Sequence, residues 1–307
     1  MIEAFYHPGF VAPLGDHVMP INKFTLVADR LRAMPGIEIV SPEPLTEEDL
    51  ARVHTLEYIA AVRSGEPRAL AESQKFPWSP QLYPSVLLTG GGCLAAARSA
   101  LDHGVAAALA SGFHHSHADH GEGFCTFNSL VVAVDRLRTE GAITTAAVFD
   151  LDLHYGNGTA SLAADRPWLF NLSIYGNDYH RNQPYRDVSE RHHVDGSNHR
   201  SIALANGAGR KDLFAAMEQG WELLLDNGRP DLVLYQAGAD PYREDPYSPL
   251  ELDQEDLMER DRWVFERARE ERLPIAWVLA GGYTKDTNEV VEVHVNTFRA
   301  ALGVFGE

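Results

Sequence analysis

Apolar, strand-like segments alternate with helix-like segments along this 307-residue chain, and that alternation restricts its fold more than any other feature. The strand-like segments are continuous apolar runs, as expected for strands that are covered on both faces. A strand–helix–strand order predicts a parallel sheet between layers of helices. We therefore predict a three-layer, doubly wound, mostly parallel α/β fold, and a single domain spanning 1–307. The predicted strands are 105–110, 146–149, 168–175, 232–236 and 275–279. The predicted helices are 46–64, 84–102, 127–138, 211–226, 252–272 and 286–302, and 176–201 is expected to be irregular.

Polar residues cluster where four of the predicted strands end. In open α/β sheets the ligand site lies beyond the carboxyl ends of the strands. Each of these four strands is followed by a segment that combines small residues with histidine, aspartate or tyrosine. The segments are 111–125, 150–154, 237–242 and 280–283. Because these strand ends lie at one edge of a parallel sheet, we expect the four segments to form one site.

The segment after the strand 146–149 carries Asp150, Asp152 and His154. Side chains alternate between the two faces of an extended chain, so these three point the same way if the strand geometry continues. Two carboxylates and an imidazole beside an apolar core indicate a metal site. A polar loop whose carboxylates cap the following helix would give the same pattern.

Asp240 and Tyr283 follow the last two predicted strands. Asp240 comes after a run of small residues and before Pro241, so it is either a third metal ligand or a turn residue. Tyr283 follows Gly281 and Gly282, whose backbone freedom would let the tyrosine hydroxyl approach a ligand. The alternative is that Tyr283 is an aromatic residue of the core.

Histidines are concentrated in one polar loop. We interpret the pair His114 and His115 as a proton-transfer group, because imidazole titrates near neutral pH, although a solvated loop is the alternative. His117 and His120, further along the loop, are expected at the surface. Cys125 is expected to be a small buried apolar residue and not a nucleophile.

Composition limits the partners and the compartment. The formal net charge of −18 argues against direct nucleic-acid binding, which needs a basic surface. The two cysteines provide neither a disulfide framework nor a Cys-type zinc site, which favours a reducing cytoplasm. The N-terminus lacks the pattern of a signal peptide, and no apolar run reaches the ~20 residues of a membrane helix. We therefore expect a cytoplasmic protein with no membrane partner, and make no prediction of its oligomeric state.

The candidate residues fit one kind of chemistry. Asp152, His154 and Asp240 give the three protein ligands that are typical of a catalytic zinc, although iron suits the same ligands. One histidine of the pair would deprotonate a water molecule and the other would protonate a leaving amine. Tyr283 would donate a hydrogen bond to the developing oxyanion, a contribution worth about 3 kcal/mol in other enzymes. Together these groups predict hydrolysis of an amide by an activated water.

Five motifs, in this order, resemble the histone deacetylase and acetylpolyamine amidohydrolase family, whose members have the arginase-like α/β fold. The motifs are His114-His115, Gly123-Phe124-Cys125, the segment 150–158, Gly238-Ala239-Asp240 and Gly281-Gly282-Tyr283. The resemblance extends from 6–8 to the final helix and is strongest to compact bacterial and class IV-like members. It implies a metal-dependent deacetylase, a hydrolase acting on linear amide bonds.

The resemblance also implies a role for each site residue. Zinc binding falls to Asp152, His154 and Asp240, proton transfer to His114 and His115, and the oxyanion contact to Tyr283. Behind the histidines, Asp150 would accept a hydrogen bond from His114, and Asn157 would pair with His115. Substrate contacts are assigned to Gly123, Phe124 and Gly282. A structural potassium ion would be held by Asp150, Asp152, His154 and Ser173.

The chain departs from the family pattern in two places. Tyr155 replaces a second histidine that often follows the metal-binding one, and 176–184 has no clear equivalent of a second tunnel aromatic, for which Tyr179 is our candidate. These departures concern the shape of the tunnel and hence the substrate. The second aspartate cluster of binuclear arginases is absent, so a single catalytic metal is expected.

Four activities fit these residues to different degrees. The favoured one is removal of acetyl-type groups from acylated lysine side chains of proteins. Hydrolysis of acetylpolyamines or other small acylated amines is the first alternative, and the acidic charge suits a polycation. A non-catalytic acyl-lysine binder is an alternative of another class, although it would not need His114, His115 and Tyr283. A thiol hydrolase using Cys125 and His115 is the last.

Overall fold

A central sheet of eight strands organises the chain, and every neighbouring pair in it is parallel. The computed structural model describes residues 1–13, 15, 17–178, 183–184 and 195–306. The strands of the sheet are β1 (Ile2–Phe5), β2 (Ile37–Val40), β3 (Val105–Ala108), β4 (Ala146–Asp150), β5 (Leu169–Tyr175), β8 (His199–Ala203), β9 (Leu232–Ala237) and β10 (Ile275–Leu279). They lie in the order β2-β1-β3-β10-β9-β4-β5-β8, and two short strands, β6 (Asn177–Asp178) and β7 (Gln183–Pro184), form a separate antiparallel pair. The predicted parallel α/β fold is confirmed.

Ten helices connect the described strands or flank them. They are α1 (Lys23–Leu31), α2 (Glu47–Ala51), α3 (Leu56–Ser64), α4 (Arg68–Ala71), α5 (Leu82–His103), α6 (Ser129–Thr139), α7 (Asn157–Ala164), α8 (Arg210–Asp226), α9 (Gln254–Glu270) and α10 (Thr287–Phe305). A 3₁₀ turn covers Pro8–Phe10. Within the described part of the chain, no helix is both long and apolar enough to cross a bilayer.

The central strands consist mainly of apolar residues, because both faces of the sheet are covered. Every residue of β3, β4, β5, β9 and β10 is buried. Such strands lack the apolar–polar alternation of a half-exposed sheet, and continuous apolar runs are what parallel sheets require. The core therefore lies on both sides of the sheet and holds its strand ends in fixed positions.

One predicted helix proves to be two. The segment 46–64 was expected to be continuous, but the structure divides it into α2 and α3. Thr46 and Asp49 form a reciprocal capping box at the start of α2. Thr55 then caps α3 by accepting a hydrogen bond from the backbone N–H of Tyr58. A second capping residue inside an otherwise helical pattern starts a new helix, because its side chain replaces the backbone acceptor of the previous turn.

The structure also contains elements that the sequence patterns did not indicate. The two short strands β1 and β2, the helices α1 and α7, and the edge strand β8 were not predicted, and β8 begins inside the segment that was expected to be irregular. Short strands with glutamate in them, as in β1 and β2, give little periodic signal.

The strand order brings the polar segments together. The four strands that precede them, β3, β10, β9 and β4, are contiguous in the sheet. All four run in the same direction, so the segments that follow them emerge at one edge. The candidate site lies at this edge, beyond the carboxyl ends of the strands, where α/β sheets bind their ligands.

Candidate metal centre and active site

Asp152, His154 and Asp240 converge on one buried point. Their ligand-type atoms all lie within 4.8 Å of one another. Nδ1 of His154 is 3.1 Å from Oδ2 of Asp240 and 3.4 Å from Oδ1 of Asp152. At most 8% of each of these residues is exposed. Two carboxylates and one imidazole nitrogen thus face a common centre that is largely shielded from water.

Tight turns, and not a continued strand, produce this convergence. The strand β4 ends at Asp150, so the expected alternation of side chains stops there. Oδ1 of Asp150 then accepts from the backbone N–H of Asp152 at 3.1 Å, and Oδ1 of Asp152 accepts from the N–H of His154 at 3.0 Å. Such local side-chain-to-backbone bonds curl the chain. They turn Asp150 toward His114, while Asp152 and His154 face Asp240.

Backbone donors in the loops after β4 and β10 hold the carboxylates in place. The N–H of Leu153 donates to Oδ1 of Asp240 at 3.0 Å, and the N–H of Gly281 donates to Oδ2 of Asp152 at 3.0 Å. Gly281 lies so close that a Cβ on it would overlap the Asp240 carboxylate, and a Cβ on Gly238 would lie 2.6 Å from Cα of Asp152. There is therefore no room for a side chain at Gly238 or Gly281 beside the carboxylate cluster.

The electrostatics of the cluster fit a bound cation. Burial lowers the pKa of His154, but hydrogen bonds to Asp152 and Asp240 outweigh burial and raise it to about 10. Burial raises the pKa of Asp240, and the nearby charge of Asp152 raises it further. Two buried carboxylates at this distance need a positive charge between them. The donor set of two carboxylate oxygens and one imidazole nitrogen is suited to zinc or ferrous iron.

The two histidines of the pair lie beside this cluster, with ring centroids 4.0 Å apart, and have different partners. Nδ1 of His114 is 2.7 Å from Oδ2 of Asp150, whereas Nδ1 of His115 is 2.6 Å from Oδ1 of Asn157. Although burial lowers it, the pKa of His114 is raised by the charges of Asp150 and Asp152. Burial, followed by the charges of His114 and His154, holds the pKa of His115 well below its ordinary value.

Tyr283 lies in the loop that follows β10. Its backbone N–H donates to Oδ2 of Asp245 at 2.6 Å, and its ring centroid lies 5.2 Å from that of Tyr247. Burial raises the pKa of its phenol well above the ordinary value, and the charges of Asp240 and Asp152 raise it further. The hydroxyl therefore keeps its proton and is suited to donate a hydrogen bond.

Gly123 and Phe124 adopt left-handed backbone conformations beside Tyr283, with φ angles of 49° and 65°. A phenylalanine in this region is uncommon and marks a constrained position. Its ring stacks on Phe76 at 5.7 Å and lies 6.2 Å from the ring of Tyr283. The thiol of Cys125 donates to the carbonyl of Gly123 at 3.4 Å. Phe124 therefore presents an apolar wall next to Tyr283.

Gly282, Ser173 and Tyr155 are the remaining predicted positions that the structure describes. Gly282 has a φ of 112°, and a Cβ on it would lie 2.6 Å from Cγ1 of Val290. Ser173, within β5, pairs with Asp150 on the neighbouring strand and accepts a hydrogen bond from the N–H of Gly156 at 3.3 Å. Tyr155 is buried and packs on Tyr175. Tyr179 lies outside the described residues.

Cys125 is not placed for nucleophilic chemistry. It is buried, and burial raises the pKa of its thiol far above the ordinary value. A thiol that does not ionise is a poor nucleophile. This finding argues against the thiol hydrolase alternative.

Three residues near the site were missed in the sequence. Lys23, on α1, is fully buried, and its Nζ donates to the carbonyls of Ala280 and Gly281 at 2.7 and 2.6 Å. Burial lowers its pKa to about 8. Asp245 and Tyr247 follow Asp240 in an irregular loop. The motif Gly238–Asp240 was a signal for that loop, but nothing local marks Lys23, whose partners are more than 250 positions away.

A second group of metal-ligand types, His117, His120 and Glu122, lies just outside the first. Its ligand-type atoms are also within 4.8 Å of one another, but its residues are only half-buried. His117 and His120 were expected to be surface residues. Their rings stack at 4.6 Å, and Asn157 links His117 and Glu122 to His115 through its side-chain amide.

Both the sequence and the fold of the chain are similar to those of known proteins. Residues 17–298 match the family model described as histone deacetylase domain. The chain is 30% identical over 305 residues to an uncharacterised protein of Picosynechococcus sp., with 98% of each covered. It is also 30% identical over 185 residues to acetylpolyamine amidohydrolase 1 of Pseudomonas aeruginosa. That match covers 59% of this chain and 51% of the Pseudomonas protein. A crystal structure of an acetylpolyamine aminohydrolase from Burkholderia pseudomallei has the same fold, with a TM-score of 0.80 over 99% of both chains at 19% identity.

Proposed function

The chain belongs to the histone deacetylase family, and from that premise we propose that it removes acetyl-type groups from acylated lysine side chains of proteins. Family membership makes it a deacetylase-class hydrolase that acts on acylated amines. The choice of lysine side chains, the metal and the roles of individual residues are our proposals. The observation that carries them is the buried convergence of Asp152, His154 and Asp240 beside two histidines with different partners.

We propose Asp152, His154 and Asp240 as the ligands of a single zinc ion, for which ferrous iron is the alternative. A cation bound there would supply Lewis-acid polarisation of the acyl carbonyl and would acidify a water molecule. The fit rests on the two buried carboxylates and the imidazole nitrogen that face one another at 3.1 and 3.4 Å. A structural potassium ion near Asp150, Asp152, His154 and Ser173 is a further part of the proposal.

The two histidines would have different tasks. Nδ1 of His115 faces the neutral amide oxygen of Asn157, so its Nε2 is the atom available to accept a proton from the attacking water. His114 is paired with the carboxylate of Asp150, which favours its protonated form. It would therefore supply positive charge beside the reacting carbonyl and a proton for the leaving amine.

The tyrosine and the aromatic walls would position the acyl group. The phenol of Tyr283 keeps its proton and would donate to the oxygen of the acyl carbonyl as charge develops there. Phe124 and Tyr247 both lie next to it, with ring centroids at 6.2 and 5.2 Å. Two aromatic rings this close to Tyr283 suit contact with the methylene chain of an acylated lysine. Gly123 would hold the substrate amide through its carbonyl, and Gly282 would border the acyl group.

The extent of the sheet supports one catalytic domain over 1–307. The strand β1 near the N-terminus and the strand β10 near the C-terminus both flank β3 in the same sheet. Removal of either end would therefore expose the centre of the sheet. The site depends on loops that follow strands from the middle and the end of the chain.

Hydrolysis of small acylated amines is the competing activity, and the name of the similar Pseudomonas aeruginosa protein favours it. An acetyl-lysine peptide and acetylputrescine, assayed side by side with the zinc-loaded protein, separate the two. We expect the larger kcat/KM on the peptide. Turnover of acetylputrescine alone would overturn the protein-substrate proposal in favour of the alternative.

A non-catalytic acyl-lysine binder predicts a different result in the same experiment. It would bind the peptide without turnover, and Tyr283→Phe would then bind as well as the wild type. For an enzyme, Tyr283→Phe should lower kcat by about 100-fold or more, as loss of an oxyanion donor does elsewhere. Binding of the peptide should change little, because the phenol contributes mainly when charge develops on the oxygen.

A further inference from the structure

Asn157 connects the inner histidine pair to a half-buried outer layer. Its Oδ1 lies 2.6 Å from Nδ1 of His115. Its Nδ2 lies 2.7 Å from Oε2 of Glu122 and 3.1 Å from Nε2 of His117. The side-chain amide is buried, so its orientation is decided by these three neighbours and not by bulk water.

Both outer neighbours accept hydrogen bonds, and this fixes the orientation of the amide. A carboxylate such as that of Glu122 is an acceptor only. The hydroxyl of Ser161 donates to the carbonyl of Gly158 at 2.8 Å, so its oxygen accepts from Nδ1 of His117 at 2.8 Å. Nε2 of His117 is then left as an acceptor. The amide must therefore turn its NH₂ group outward and its oxygen toward His115.

This orientation determines which nitrogen of His115 carries the proton. An amide oxygen only accepts, so Nδ1 of His115 must donate to it. Nε2 of the neutral ring then keeps its lone pair. If the amide were reversed, its oxygen would lie 2.7 Å from the Glu122 carboxylate, and its NH₂ group would force the proton of His115 onto Nε2.

We propose that Glu122, assisted by His117, is a positioning residue that holds the Asn157 amide in one orientation and thereby keeps the proton of His115 on Nδ1. Neither residue contacts the metal ligands in this role; each acts through Asn157. The proposed tautomer does not depend on the reaction, whereas its effect on turnover rests on the function proposed above. The sequence places Glu122 immediately before the motif Gly123-Phe124-Cys125, which fixes its distance from the site.

The activity test compares Glu122→Leu with Asp119→Leu in the zinc-loaded protein. Asp119 is an exposed carboxylate of the same loop that pairs with His120 and not with Asn157, so it is the matched control. We expect Glu122→Leu to lower kcat by about tenfold, a fraction of what general acid–base groups contribute, with KM changed less than twofold. Glu122→Gln can still accept from Asn157 and should retain most of the activity.

A rescue experiment separates positioning from simple damage to the fold. An aspartate at position 157 accepts from His115 in either orientation, so it makes the outer acceptors unnecessary. Asn157→Asp should therefore restore kcat in the Glu122→Leu background. In the wild-type background the same change sets two carboxylates against each other, and we expect it to lower kcat. If Glu122 only stabilised the fold, Asn157→Asp would not raise kcat in the Glu122→Leu background and lower it in the wild type.

Ring nitrogen chemical shifts of ¹⁵N-histidine report the tautomer directly, with the His115 signals assigned by their loss in His115→Gln. Wild type and Asp119→Leu should show His115 protonated at Nδ1, and Glu122→Leu should show a mixture of both tautomers. Unchanged tautomer and unchanged kcat in Glu122→Leu would overturn the inference. If no substrate is turned over by the wild type, the proposed function fails, yet the tautomer measurement still decides this inference.

Discussion

Oδ2 of Asp245 accepts a hydrogen bond from the backbone N–H of Tyr283 at 2.6 Å. The other oxygen of this buried carboxylate accepts from the N–H of Tyr247 at 3.0 Å. One side chain therefore joins the loop after β9, which carries Asp240, to the loop after β10, which carries the proposed oxyanion donor. The relative position of these two groups therefore depends on Asp245, which has no role of its own in the proposed chemistry.

Loss of this link should affect turnover more than binding. We expect Asp245→Ala to lower kcat by about 10- to 100-fold, because small displacements of a catalytic group have effects of that size. Asp245→Asn keeps the size of the side chain, but its amide offers one oxygen, so it can accept from only one of the two backbone N–H groups. Asp245→Asn should therefore lose part of the activity, but less than Asp245→Ala. Steady-state kinetics of both variants test this, and equal losses would contradict it.

Gly281 is expected to tolerate no side chain. A Cβ at this position would overlap the carboxylate of Asp240 and would displace a proposed ligand. We expect Gly281→Ala to weaken zinc binding by about tenfold or more, a loss typical of disturbed metal surroundings. Gly303, on the exposed side of α10, is the control, since nothing lies near its Cβ direction. Gly303→Ala should leave zinc affinity unchanged and stabilise the helix by up to about 1 kcal/mol. Titration with a competing chelator measures both affinities.

The sheet and the common edge of the site were predictable because they follow from patterns along single segments. Continuous apolar runs identified the five central strands, and the rule that ligands lie beyond the carboxyl ends brought His114, Asp152, Asp240 and Tyr283 together. The short outer strands β1 and β2 gave no such pattern. They form because β1 pairs with β3 and β2 pairs with β1, which is a tertiary effect.

Contacts between distant segments could not be predicted in the same way. Lys23 lies 257 positions before the carbonyl of Ala280 that it contacts, and Glu122 lies 35 positions before Asn157. No periodicity or spacing encodes such pairs. The expected direction of Asp150, Asp152 and His154 was likewise derived from strand geometry, while the actual convergence depends on turns that begin as β4 ends.

Zinc should stabilise the folded protein through the three proposed ligands. A ligand that binds only the native state adds about 4 kcal/mol when its free concentration is a thousand times its Kd. We expect chelated wild-type protein to gain stability when zinc is added. Asp240→Asn should gain little, because a carboxylate ligand is missing. The exposed Asp119→Asn serves as the control and should respond like the wild type. Thermal unfolding with and without zinc measures the effect, and equal stabilisation of all three proteins would place the metal elsewhere.

The protonation of His54, which is not one of the proposed metal-site residues, should make the free energy of unfolding depend on pH. Its Nε2 accepts from the backbone N–H of Asn128 at 3.1 Å, and its Nδ1 lies 2.9 Å from the carbonyl of His117, so the folded protein needs the neutral ring. Burial lowers the pKa of His54 to about 4, from an ordinary value near 6.5.

Between these two values the unfolded chain binds a proton that the folded protein does not. The contribution of His54 is therefore present above pH 6.5 and is lost as the pH falls toward 4. From pH 7 to pH 5 it should remove about 2 kcal/mol of unfolding free energy. His54→Gln offers a similar donor and acceptor but does not titrate, so its loss over this range should be smaller by that amount. Urea denaturation of both proteins at the two pH values measures the difference, and parallel losses would show that His54 does not titrate as its surroundings require.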